Sequence, residues 1–134
     1  MMRRILQTLA ILFTSSILSV AGENWLSNWD DAKAKSKAEN KPILINLTGS
    51  DWCPSCIKIK REIFSQEAFK KFADENLILM EVDFPQKKKQ SEALKKQNTA
   101  LEEQYPNEGY PAVFLLDSEG KKLSEDLGSP KGGP

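Results

Sequence analysis

The stretch KPILINLTGSDWCPSCIKIK, residues 41–60, decides how the rest of the chain reads. It opens on a short run rich in Ile and Leu, closed by Gly49 and Ser50, which predicts a buried strand. It ends on CPSCIKIK, where Pro54 occupies a first-turn position that a helix tolerates. Between the two lies DWCPSC, with Cys53 and Cys56, the two cysteines of the chain. Two thiols three positions apart fit a structural staple, a metal clip or a redox switch, and each makes different demands.

A staple gains from closing a long loop. The loop-entropy relation gives roughly 2 kcal/mol for four residues against about 3 for fifteen, so this spacing staples little. A structural zinc site wants four ligands, usually Cys or His. This chain offers two thiols and contains no histidine. The redox reading uses the surroundings best. At a strand-to-helix junction, Cys53 meets the unpaired N–H groups and positive dipole end of a helix, which favour an anion. That placement moves a thiol from about 8.5 into a range of roughly 3.5 to 7.5. Cys53 is then the attacking thiolate, and Cys56, one turn further in and better shielded, resolves the mixed disulfide. Pro54 and Ser55 form the spacer, Pro54 stiffening the turn, while Trp52 offers an apolar wall beside an exposed sulfur.

Outward from the motif, NWLSNWDDAKAKSKAENK spaces Trp25, Trp29 and Ala32 at helical intervals, with Ser27 or Asn28 as cap and Pro42 as stop. After the cysteines the helix continues through CIKIKREIFSQEAFKKFADEN, restarting or bending near Ser65 and Glu67. Phe64, Ala68, Phe69 and Phe72 form its apolar stripe. LILMEVDFP is a second buried strand. QKKKQ, residues 86–90, reads as a solvated loop. SEALKKQNTALEEQY is a helix capped by Ser91, with Leu94, Leu101 and Tyr105 on one side. YPAVFLLDSEGKKLSEDL reads as two strands joined by the turn DSEG. Strands parted by a helix pair in parallel, and the last two form a hairpin. The class is α/β, a mixed central sheet flanked by helices.

The head of the chain reads as an export signal over residues 1–21. MMRR is basic, residues 5–20 are moderately apolar, and Ser19 and Ala21 suit a signal peptidase. A membrane anchor is the rival, but polar residues from Gln7 to Ser19 interrupt the run, which falls short of the roughly 20 apolar residues of a span. Export places the protein in the periplasm or outside the cell, where disulfides persist, with no stable membrane insertion after cleavage. Lys+Arg and Asp+Glu balance at 19 each, which offers no overall basic field for nucleic acid. The lack of histidine excludes His-based triads and His metal sites.

With these residues in place, the chain resembles the thioredoxin-like superfamily, and most of all exported bacterial members with a WCPSC motif. Residues 41–60 match its strand, Trp-Cys-x-x-Cys and helix in order, and GYPAVFLLD matches its Gly-x-Pro followed by a strand. The resemblance implies a thioredoxin-like domain over residues 22–127. It implies a cis Pro111 against the cysteine pair, with Tyr110 offering backbone groups to a bound substrate strand beside Trp52. It implies a thiol–disulfide oxidoreductase that exchanges electrons with protein thiols or disulfides and with a redox partner protein. No cofactor or metal is required, because the Cys53–Cys56 disulfide carries the electrons. The direction of exchange is left open, and a non-catalytic binding module or a dedicated electron relay remain as alternatives.

Two departures stand out. Family members carry a buried aspartate on the strand before the motif, and Asn46 stands there. It is expected to be a hydrogen-bonded core amide, with water, Asp51 or Lys58 left to help the inner cysteine. The family also closes on a helix, whereas GSPKGGP, residues 128–134, reads as a flexible tail in which Gly and Pro build no helix.

Overall fold

The computed structural model describes residues 24–128. The export-signal reading of residues 1–21 and the tail beyond Gly128 lie outside the described residues. The elements run β1 Trp25–Leu26, α1 Trp29–Glu39, β2 Ile43–Thr48, α2 Pro54–Ile59, a π-helical stretch Lys60–Phe64, α3 Glu67–Asn76, β3 Ile78–Asp83, α4 Glu92–Gln104 and β4 Ala112–Leu116. The sheet order is β1-β3-β2-β4. β3 pairs in parallel with both β1 and β2, and β4 runs antiparallel to β2. This is the thioredoxin-like α/β fold with a mixed sheet.

β2 is buried along its whole length because both faces of the sheet are covered. Its alternation sorts the side chains. Ile43, Ile45 and Leu47 join Met80, Val82, Phe114 and Leu101 in one cluster. Leu44 joins Phe64, Ala73, Leu79 and Val113 in the other. Asn46 and Thr48 share the face of Leu44, the face toward α2. In register, Asn46 stands between Glu81 of β3 and Val113 of β4.

Three readings need correction. Trp25 is not in the first helix but in β1, opposite Leu79. The helix begins at Trp29 because the Asn28 side chain accepts the N–H of Asp31 at 2.9 Å. The apolar stripe after the cysteines also shifts. Phe64 is buried, but Ala68 is exposed and Phe72 is 55% exposed, while Ala73 turns in. The π-helical stretch and the extended Gln66 reset the helical phase, so Phe69 and Ala73 become the inward pair of α3.

The hairpin, third, is broken. The turn forms as DSEG predicts, with Asp117 accepting the N–H groups of Glu119 and Lys121 and Gly120 at φ 87°. Beyond it there is one bridge, between Leu116 and Lys122, and no strand. The N–H groups of Leu115 and Val113 go instead to the side chains of Ser124 and Asp126, both at 2.9 Å. The carbonyls of Leu115 and Val113 still accept the backbone N–H groups of Leu123 and Leu127, both at 2.7 Å, so the polar side chains take over only the donor half of the ladder. Among the described residues no helix follows β4.

Candidate redox site

The site is built where β2 runs out. The carbonyl of Gly49 accepts the N–H of Cys53 at 2.9 Å and of Trp52 at 3.3 Å, which turns the chain into α2. Gly49 is required because a Cβ there would collide with the Trp52 indole. Ser50 donates its N–H and hydroxyl to the Asp83 carboxylate at 3.0 and 2.6 Å. Asp51 accepts the N–H groups of Gln86, Lys87 and Lys88 at 2.9, 2.8 and 3.0 Å. The indole N–H of Trp52 donates to the Phe84 carbonyl at 2.7 Å. Ser50, Asp51 and Trp52 thus each tie the motif to the end of β3 or the loop after it.

Cys53 is the residue that caps α2, with Pro54 in the first turn. Its sulfur accepts the N–H of Cys56 at 3.2 Å and is joined to the sulfur of Cys56 in a disulfide. Ser55 and Pro54 are exposed above the pair. Cys53 is 6% exposed and Cys56 3%, so the pair is recessed, and the outer sulfur is less open than the sequence suggests. The Tyr110–Pro111 peptide is cis. The Tyr110 carbonyl lies 3.8 Å from the Cys53 sulfur. The Tyr110 ring stacks on Phe84 at 5.4 Å and meets Trp52 edge-on at 6.0 Å. Its hydroxyl donates to Glu102. Burial first, and then Glu102, push its pKa well above the usual tyrosine value. Trp52, Cys53, Tyr110 and Pro111 therefore meet at one place, with Phe84 added, a residue the sequence reading placed in a strand and gave no part in the site.

Behind α2 is a cavity of about 350 Å³, lined in part by Asn46, Thr48, Ser50, Cys56, Leu79 and Glu81. Asn46 is 7% exposed, and its Oδ1 has no hydrogen-bond partner among the described residues. It is a core amide, but its carbonyl end is not bonded as expected. Neither residue suggested to assist the inner cysteine reaches this cavity. Asp51 is engaged with backbone on the far side of the motif, and Lys58 is exposed and is not among the cavity's lining residues. The charged residues that do line it, Glu81 and Lys60 among them, were not singled out. A signal for Glu81 was there, a lone acid between the apolar residues of LILMEV. Among the described residues, no three His, Cys, Asp or Glu side chains group as a metal site requires. No helix among them is long and apolar enough to cross a membrane.

Comparison with known proteins agrees with this geometry. The family model described as Thioredoxin-like matches residues 24–118. The chain is 40% identical over 116 residues to Disulfide bond reductase DsbH of Chlamydia pneumoniae, covering 87% of this chain and 69% of that protein. A solved structure, DsbH Oxidoreductase, superposes with a TM-score of 0.72 at 36% identity, covering 98% of this chain and 87% of that one. The oxidised C-terminal domain of Neisseria meningitidis DsbD is more distant, with a TM-score of 0.51 at 25% identity, over 72% of this chain and 76% of that one.

Proposed function

We propose, for a chain that belongs to the thioredoxin-like family and is a thiol–disulfide oxidoreductase, that it works as a reductase of protein disulfides outside the cytosol. The observation that carries the reading is the sulfur of Cys53 at the mouth of α2, within 3.8 Å of the Tyr110 carbonyl. The reducing direction draws on the likeness to a protein named as a disulfide bond reductase. The location draws on the signal-like head of the sequence.

In the reduced protein, Cys53 is the attacking thiolate. It forms a bond to one sulfur of a client disulfide, and the other client sulfur leaves as a thiolate and takes up a proton. Cys56 then gives up its proton and attacks the Cys53 sulfur. This closes the Cys53–Cys56 disulfide and releases the second client thiolate. Two electrons pass to the client, and no further cofactor is needed. A dithiol redox partner protein restores the pair by the same steps in reverse. Trp52, Tyr110 and Pro111 form the groove that receives the client strand, with Tyr110 supplying backbone groups. Pro54, Ser55 and Asn46 support the pair from above and below.

An insulin-reduction assay with dithiothreitol tests the activity, and turnover should vanish in Cys53→Ser. The reduction potential tests the direction. A value near about −270 mV fits a reductase, and one near about −120 mV overturns that direction in favour of disulfide formation. Turnover at background with client binding retained would point to a binding module instead.

A further inference from the structure

The lysine run QKKKQ reads as a solvated loop in the sequence, and it is one, with residues 86–89 exposed and in no helix or strand, but it is not loose. It is pinned to the redox motif itself. Three successive backbone N–H groups of Gln86, Lys87 and Lys88 are held by Asp51, two residues before Cys53. At its start, the Phe84 carbonyl holds the Trp52 indole, and at its end Gln90 donates to the Asp83 carbonyl at 3.0 Å. Phe84 stacks on Tyr110, whose carbonyl faces the Cys53 sulfur. The loop is therefore tied to the redox motif and follows directly on Phe84, which stacks on Tyr110.

The acids nearest the lysines are already engaged. Asp51 is taken up by backbone N–H groups, and Asp83 by Ser50 and by Lys88 at 3.1 Å. Lys87 and Lys89 are exposed and form no ion pair among the described residues. Lys89 lines, with Lys88, Glu81 and Asp83, a second cavity beside this loop, and Lys87 lies in the segment that Asp51 ties to the motif.

We propose that Lys87 and Lys89 form a basic rim that selects client segments with acidic residues flanking the reactive cysteine. This rests on the reading of Cys53 as the attacking thiol. Fixed charges at the edge of a groove raise the encounter rate of oppositely charged partners and repel like-charged ones.

The test is one-step capture. Reduced Cys56→Ser protein is mixed with two peptides, each carrying a cysteine activated as a thionitrobenzoate disulfide, one flanked by Asp and Glu and one by Lys. Cys53 displaces thionitrobenzoate, whose colour gives the rate. At low salt the acidic peptide should be captured on the order of 10-fold faster, and at 1 M salt, where the screening length is about 3 Å, the difference should largely disappear. In K87E/K89E on the same background the preference should be lost or inverted. K37E/K96E, which makes the same change in net charge on α1 and α4, should keep it. Reaction of Cys53 with neutral iodoacetamide should stay within about 2-fold across all three proteins, which separates client selection from a change in the thiol itself.

Equal capture of the two peptides, or a ratio unmoved by K87E/K89E, overturns the rim. So does an equal effect of K37E/K96E. If insulin turnover by the unsubstituted protein persists in those cases, the reductase reading stands without the rim. Capture of neither peptide overturns both.

Discussion

The sulfur of Cys53 accepts the backbone N–H of Cys56 at 3.2 Å, so the outer cysteine of the pair is also the capping group of α2. A cap normally offers an oxygen to the free N–H groups of the first turn. Here a sulfur holds that position, and in the proposed reduced state the same N–H and dipole that stabilise the helix would stabilise a thiolate. The proposed reactivity and the start of α2 thus share one hydrogen bond.

That link separates two substitutions of Cys53. Serine keeps a capping oxygen and alanine does not. In denaturant titrations under reducing conditions, Cys53→Ala should be less stable than Cys53→Ser by about 1 kcal/mol. Both should lack turnover. Equal stabilities would show that the sulfur position does not cap the helix.

Asp51 gives a pH-dependent test of the loop clamp. Its pKa is lowered from 3.8, first by the N–H of Gln86, with desolvation opposing and the N–H groups of Lys88 and Lys87 adding to the lowering. A carboxyl depressed in the folded state holds its partners at any pH above the ordinary value and releases them as pH falls through its own lower pKa. The amide resonances of Gln86, Lys87 and Lys88 should therefore stay fixed from neutral pH to about pH 4 and move together below it. In Asp51→Ala they should sit at shifted positions at every pH.

Tyr105 gives the alkaline counterpart. Its hydroxyl is buried and donates to the Gly120 carbonyl in the DSEG turn. Burial first, then Asp117, raise its pKa from 10.0 to about 12. A phenol raised in the folded state contributes stability that is complete below the ordinary value and lost as pH rises from there through about 12. Tyr105→Phe should cost about 1 kcal/mol at pH 7 by leaving the Gly120 carbonyl without this donor, and should flatten the alkaline loss. Urea midpoints from pH 7 to the alkaline limit measure both. An unchanged alkaline slope in the variant would assign that loss to other groups.

Asn46 tests the cavity wall. Asn46→Asp puts a carboxyl between Glu81 and Val113 in the sheet register, in a position 7% exposed. Burial and the neighbouring acid raise such a carboxyl above its ordinary value. The variant should match the parent in stability at about pH 3 and fall behind by roughly 1–3 kcal/mol as the carboxyl ionises toward pH 7. A constant difference across that range would mean that the carboxyl never ionises or is fully solvated.

Much of this fold was legible because the signals were local. Gly49 and Pro54 marked the strand-to-helix turn, Ser91 capped α4, and Leu101 and Tyr105 turn into the core as their spacing implies, while Leu94 is only half-buried. What the sequence hid was tertiary. Trp25 has helical spacing to Trp29, yet two residues of pairing with β3 hold it in the sheet. The second half of the hairpin alternates well enough, but Ser124 and Asp126 use their side chains on the edge of β4. Phe84 carries no motif, and it reaches the groove from just past the end of β3. Glu81 stands out only as a lone acid in an apolar strand, and its place in the cavity follows from the register of β3 on β2.

The central claim is that α2 holds the Cys53 sulfur as an anion. Its most direct test is the pH dependence of iodoacetamide alkylation of the fully reduced protein, with the modified cysteine identified by mass spectrometry. Cys53 should react first, with a midpoint in the range of roughly 3.5 to 7.5, and Cys56 should lag behind it. A midpoint near about 8.5 for both, or Cys56 reacting ahead of Cys53, would contradict the account.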